Sequence, residues 1–66
     1  MRAFDFYTHD DRHTVPSVQL VIAPSEESAY QLASARLAQS SHYRSVEVRE
    51  GEELIFCVDQ VRERPA

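Results

Sequence analysis

These 66 residues predict an α+β fold of ββαββ order, in which one helix lies on one face of a four-stranded, mainly antiparallel sheet. Two observations carry most of that reading. Four short segments alternate apolar and polar residues with the period of a strand, and one segment between the second and third repeats apolar residues at helical spacing. A third observation is size: the chain makes a single domain over residues 1–66, near the lower limit of what folds without a staple.

Residues 3–8, AFDFYT, place aromatics at alternating positions Phe4 and Phe6 and read as the first strand. Residues 15–23, VPSVQLVIA, read as the second, with Val18, Leu20 and Ile22 on one face. Pro16 has no N–H to give a ladder, so it belongs at the start of that strand or on an exposed edge.

A helix is expected over 25–40. Pro24 stops the preceding strand, Ser25 is an N-cap, and Glu26 and Glu27 put negative charge in the first turn. Ala29, Tyr30, Ala33 and Leu37, with Leu32 at the margin, form its apolar stripe.

Residues 45–49 and 54–60 read as the last two strands. Val46 and Val48 lie on even positions, as do Leu54, Phe56 and Val58, so even should face even. A three-residue turn with Gly51 in the left-handed conformation meets that parity and sets Val46 opposite Leu54. A two-residue turn at Glu50–Gly51 would face Val48 with Glu53. The same parity joins Phe4 and Phe6 to Val18, Leu20 and Ile22 through a hairpin centred near Arg12. The second and fourth strands are the most apolar, which favours spatial order 1-2-4-3, with 2-1-3-4 as the alternative. Residues 61–66 read as a frayed tail.

An aromatic first strand ending in acids (FDFYTHDD), a helix entered by APSEESA and a closing VEVREGEEL hairpin resemble short bacterial proteins of the same ββαββ layout. The resemblance spans nearly the whole chain and implies the fold; no activity comes with it.

Composition narrows the function classes. Net charge is −4 and all seven basic residues are arginine, a usage typical of a GC-rich bacterial or phage genome. An acidic balance runs against general nucleic-acid binding, which needs clustered cations. The single Cys57 permits no internal disulfide, and no apolar run has the length of a signal peptide or membrane span, so the cytoplasm is the expected compartment. One glycine in the chain leaves no phosphate-cradling loop, and nothing implies a cofactor.

The segment HDDRH concentrates the residues that bind metals or move protons: His9, Asp10, Asp11 and His13. They are the candidates for a metal. Yet a metal site needs three or four ligands on a rigid scaffold, and these stand on a loop with no second cluster nearby in sequence. The segment reads as a solvated turn whose aspartates bond nearby amides. Cys57 with a histidine could form a thiol–imidazole pair, but its mid-strand position reads as a small hydrophobe. Arg36 and Arg44 suggest a nucleic-acid helix, against which stand Glu26 and Glu27 in its first turn.

One helix cannot cover both faces of the sheet. By the parity above, the open face carries Tyr7, Val15, Val21, Ile55 and Cys57, and Tyr7, Val21, Ile55 and Cys57 are the interface candidates. The chain therefore reads as a small non-catalytic interaction or regulatory module that self-associates as a homodimer through the sheet or binds another protein. The second reading is a regulator that binds nucleic acid through arginines, and the third an enzyme using the His9–His13 loop.

Overall fold

The computed structural model describes residues 1–59. The expected tail at 61–66 lies outside the described residues, as does residue 60 at the end of the fourth expected strand. Strands β1 (Arg2–Asp10) and β2 (Ser17–Ala23) precede helix α1 (Glu26–Leu37), and β3 (Tyr43–Glu50) and β4 (Glu53–Asp59) follow it. All neighbouring strands pair antiparallel in one sheet with α1 on one face. The predicted ββαββ layout is the fold.

The helix starts where its cap dictates. Ser25 Oγ accepts from the Ser28 backbone N–H at 3.2 Å, and Glu26 and Glu27 occupy the first turn. It ends at Leu37, three residues short of the expected end, with Ala38 as its C-cap and a turn over 38–39. Its buried stripe is Ala29, Ala33 and Leu37; Tyr30 lies outside it and meets Phe56 edge-on at 5.6 Å.

The strand order is β2-β1-β3-β4, the alternative of the two expected orders. The central strands are β1 and β3, whose inward residues Phe4, Phe6, Thr8, Val46 and Val48 are all buried. Apolar content misleads here because β2 and β4, although richer in apolar residues, hold part of them on surfaces the helix does not reach. Since β2 and β3 both run antiparallel to β1, they are parallel to each other with β1 between them, and α1 carries the chain across.

The register of β2 also departs from the even-to-even expectation. Phe4 faces Val21 and Phe6 faces Gln19, so even positions of β1 meet odd positions of β2. A slip of one residue moves a whole strand's side chains to the opposite face. Val21 and Ala23 pack on the core, while Val18, Leu20 and Ile22 stand exposed.

At the second hairpin the expected parity is reached by another device. The turn is the two residues Gly51 and Glu52, with Glu50 facing Glu53. Gly51 at φ 63° is the sole described residue with positive φ, the pattern of a type II′ turn. A β-bulge between Val48 and Arg49 then shifts the ladder, so Val48 faces Phe56 and Val46 faces Val58 rather than Leu54. The bulge leaves Ile55 without a partner and turns it toward the core beside Phe56, while Leu54 is set opposite Arg49 and exposed.

Candidate interaction surface

Residues directly opposite in antiparallel strands share a face, so the ladder defines the open side of the sheet row by row. One row runs Leu20, Asp5, Arg49, Leu54, and the next runs Val18, Tyr7, Glu47, Cys57; Ile22 faces Ala3 beyond the first. Two of the four expected interface residues, Tyr7 and Cys57, are on this face. Val21 and Ile55 are not: the β2 register and the β4 bulge turn both toward the core.

Over β1 and β3 the open face is mostly polar and internally paired, and β4 adds the exposed Leu54 and Cys57. Arg49 Nε donates to Glu47 and the guanidinium lies 5.9 Å from the Tyr7 ring centre, while His9 Nε2 is 3.7 Å from Glu47. Over β2 it is apolar. Val18, Leu20 and Ile22 are 58%, 64% and 53% exposed, on a strand, SVQLVIA, with no charge, glycine or proline. Because β2 has β1 on one side only, its outer edge carries unpaired backbone donors and acceptors. Natural edges are usually blunted by a charge, a proline or a bulge; β2 has none of these.

The HDDRH segment closes on itself. Asp10 Oδ1 accepts the Arg12 backbone N–H at 2.6 Å, and its other oxygen accepts from the Arg12 guanidinium at 2.8 Å. The Asp10 side chain is only 8% exposed, and the Arg12 guanidinium holds its carboxyl well below the usual carboxylate range. The Asp11 N–H donates to the His42 carbonyl at 2.9 Å, and His42 Nδ1 lies 3.1 Å from Asp11 Oδ1, which ties this loop to the one after the helix. His9 points instead to Glu47. Among the described residues, no group of three or more His, Cys, Asp or Glu could hold a metal ion. His9 and Asp10 close β1, paired with Ser45 and Tyr43, rather than standing on the expected loop, and the turn that follows them is braced by Asp10.

Cys57 is exposed on the open face beside Asp59. Local desolvation first, then the Asp59 and Glu47 carboxylates, push its thiol above the ordinary value, so it stays protonated at neutral pH and is a poor nucleophile. Several cations are already paired: Arg2 with Glu50 and Glu26, Arg12 with Asp10, Arg49 with Glu47. No helix among the described residues is long and apolar enough to cross a membrane.

Comparison with family models, curated proteins and solved structures finds no match to this chain.

Proposed function

We propose that this chain is a non-catalytic interaction module that self-associates through β2. The observation that carries the reading is the uncharged edge strand with three half-exposed branched side chains on one face. A two-fold axis at Leu20 would run two β2 strands antiparallel, placing Leu20 against its own copy and Val18 against Ile22 of the second chain. The strand is self-complementary in that arrangement, because no like charges meet.

Fully burying a Val, Leu or Ile stabilises by about 1.5–3 kcal/mol, so covering the exposed half of these six side chains is worth roughly 6 kcal/mol per dimer. That is comparable to the cost of association, and the new ladder hydrogen bonds, at about 1 kcal/mol each, tip the balance. The expected dimer is therefore reversible and concentration-dependent.

Sedimentation velocity over a concentration series tests this directly. The wild type should move from monomer to dimer as concentration rises, and Leu20→Lys should remain monomeric with an unchanged circular dichroism spectrum. A wild type that stays monomeric at millimolar concentration would refute self-association.

A further inference from the structure

The sheet has two edges, and they differ. The order β2-β1-β3-β4 leaves the outer sides of β2 and β4 without a neighbouring strand among the described residues. β4, ELIFCVD, carries the longer apolar run: Leu54 to Val58 follow one another without glycine, proline or charge. An uncharged run of high strand propensity on a bare edge is what pairs strands between molecules. By its apolar run alone, β4 should be the more adhesive edge.

Its ends say otherwise. Glu53 precedes the run and Asp59 closes it; both are exposed, and neither makes an ion pair among the described residues. Between them the bulge takes Ile55 out of the ladder, so β4 is regular only from Phe56 to Asp59. A second β4 laid antiparallel along that stretch must keep residues of one face together. With the two-fold axis at Val58, each Asp59 stands opposite Cys57 of the other copy, in line with Glu47 on the neighbouring strand. The two Asp59 carboxylates are then diagonal neighbours, about 7–8 Å apart. With the axis at Cys57, Asp59 is set against Ile55 of the other copy, where the bulge has broken the ladder. At the other end Glu53 faces Glu50 across the hairpin, so the edge is acidic there as well. Natural sequences flank unavoidable apolar strands with charges of this kind.

We propose that Glu53 and Asp59 guard the β4 edge: they bar it from pairing with β4 of a second copy and so confine self-association to β2. Once two β2 strands have paired, the two β4 edges are the ones left for growth among the described residues. The same acids therefore stop the assembly at a dimer instead of an extended sheet. That end-point rests on the β2 reading; the barring of β4 does not.

Glu53→Gln combined with Asp59→Asn removes both charges at nearly constant shape and tests the guards. By sedimentation velocity, at a concentration where the wild type is dimeric, this double variant should form species larger than the dimer. Glu27→Gln with Glu52→Gln removes the same charge from exposed acids outside β4 and should keep the wild-type distribution, which separates position from net charge. In the Leu20→Lys background, where β2 cannot pair, the β4 double variant should restore a monomer–dimer equilibrium at least about tenfold tighter than Leu20→Lys alone. Asp59→Asn alone is the milder variant and should move in the same direction, with circular dichroism showing the fold unchanged. A wild type that stays monomeric while the β4 variant of Leu20→Lys dimerises would sink the β2 reading and leave the guards standing. The proposal is overturned if the folded β4 variants keep the parent distribution in both backgrounds, if the Glu27 and Glu52 variant associates equally, or if the wild type itself grows beyond a dimer.

Discussion

Replacing Val21 and Leu20 separately by alanine decides which face of β2 is inside. Val21 packs against the core and Leu20 is mostly exposed. Val21→Ala removes two partly buried methyl-sized groups at about 0.8 kcal/mol each and leaves some unfilled space, for a loss of about 1–1.5 kcal/mol. Leu20→Ala, in the monomer, should cost within about 0.5 kcal/mol, as exposed substitutions do. Both end in alanine, so much of the change in strand propensity is common to the two. For a domain of this size, 1 kcal/mol moves the melting temperature by about 4–8 °C. Thermal melts by circular dichroism, run dilute so that association adds nothing, should therefore show a drop of about 5–10 °C for Val21→Ala and little for Leu20→Ala. The even-to-even hairpin interchanges the two positions. A Leu20→Ala drop larger than that of Val21→Ala would refute the register, and with it the placement of the exposed ridge.

Thr8 is buried in β1 opposite Val46, and its hydroxyl has no hydrogen-bond partner. Thr8→Val keeps the shape and removes the unmet group, so the urea midpoint should rise by the equivalent of about 1 kcal/mol at constant slope; a fall would mean the hydroxyl is bonded in solution. At Gly51 the positive φ, rather than space, is limiting, since nothing lies within 4 Å of an added Cβ. Gly51→Ala should destabilise by about 1 kcal/mol in the same assay and Gly51→Asn by less, while equal stability of all three would count against the turn geometry. Asp10→Asn tests the braced loop through pH. The Asp10 carboxyl titrates below its unfolded value of about 3.9, so its stabilisation is present above that pH and fades as pH falls toward the lowered folded value. The variant should melt below wild type from about pH 5 to 8, and the gap should narrow below about pH 4; a gap independent of pH would show that the carboxylate's charge is not what braces the turn.

The elements of this fold were legible because each rests on local physics: alternation for the strands, the Ser25 cap with its acidic first turn for the helix. The inward set Val46, Val48, Phe56 and Val58 was legible for the same reason, although the bulge that achieves it was not. What escaped depends on contacts distant in sequence. The first hairpin's register follows a loop in which Asp10 takes the Arg12 amide and Asp11 bonds the His42 carbonyl from beyond the helix. No local pattern in β2 reports that second contact, and the run Val18, Leu20, Ile22 argues for the opposite face. That a turn follows Asp10 was readable from Asp10 itself, but that β1 runs on through His9 and Asp10 was not, because it depends on their pairing with β3. The cleft between α1 and β2, lined by Phe6, Gln19, Val21, Leu32, Arg36 and Gln39, was not readable, since β1, β2 and α1 each contribute to it.

The position of α1 bears on both surfaces of β2. Ala29 and Ala33 are small, so α1 can settle close to the sheet, and the Tyr30 contact with Phe56 draws it toward β4. A helix is about 10 Å across and strands are spaced by about 4.8 Å, so one helix roofs roughly two strands of four. The inner faces of β1 and β3 are buried, whereas Phe56 and Val58 on β4 and Val21 on β2 are only partly covered, and a cleft with Gln19 at its wall stays open beside β2. A strand that cannot sink both faces gains little by turning its larger side chains toward an incomplete roof. In the observed register Ala23 and Val21 go inward and Leu20 and Ile22 outward, where a second surface could cover them. If α1 were drawn over β1 and β2, the cleft would close and the burial available to β2 would favour the other register. The position of the helix thus leaves the inner side of β2 partly open, while the register of the first hairpin puts Leu20 and Ile22 outside on the apolar edge.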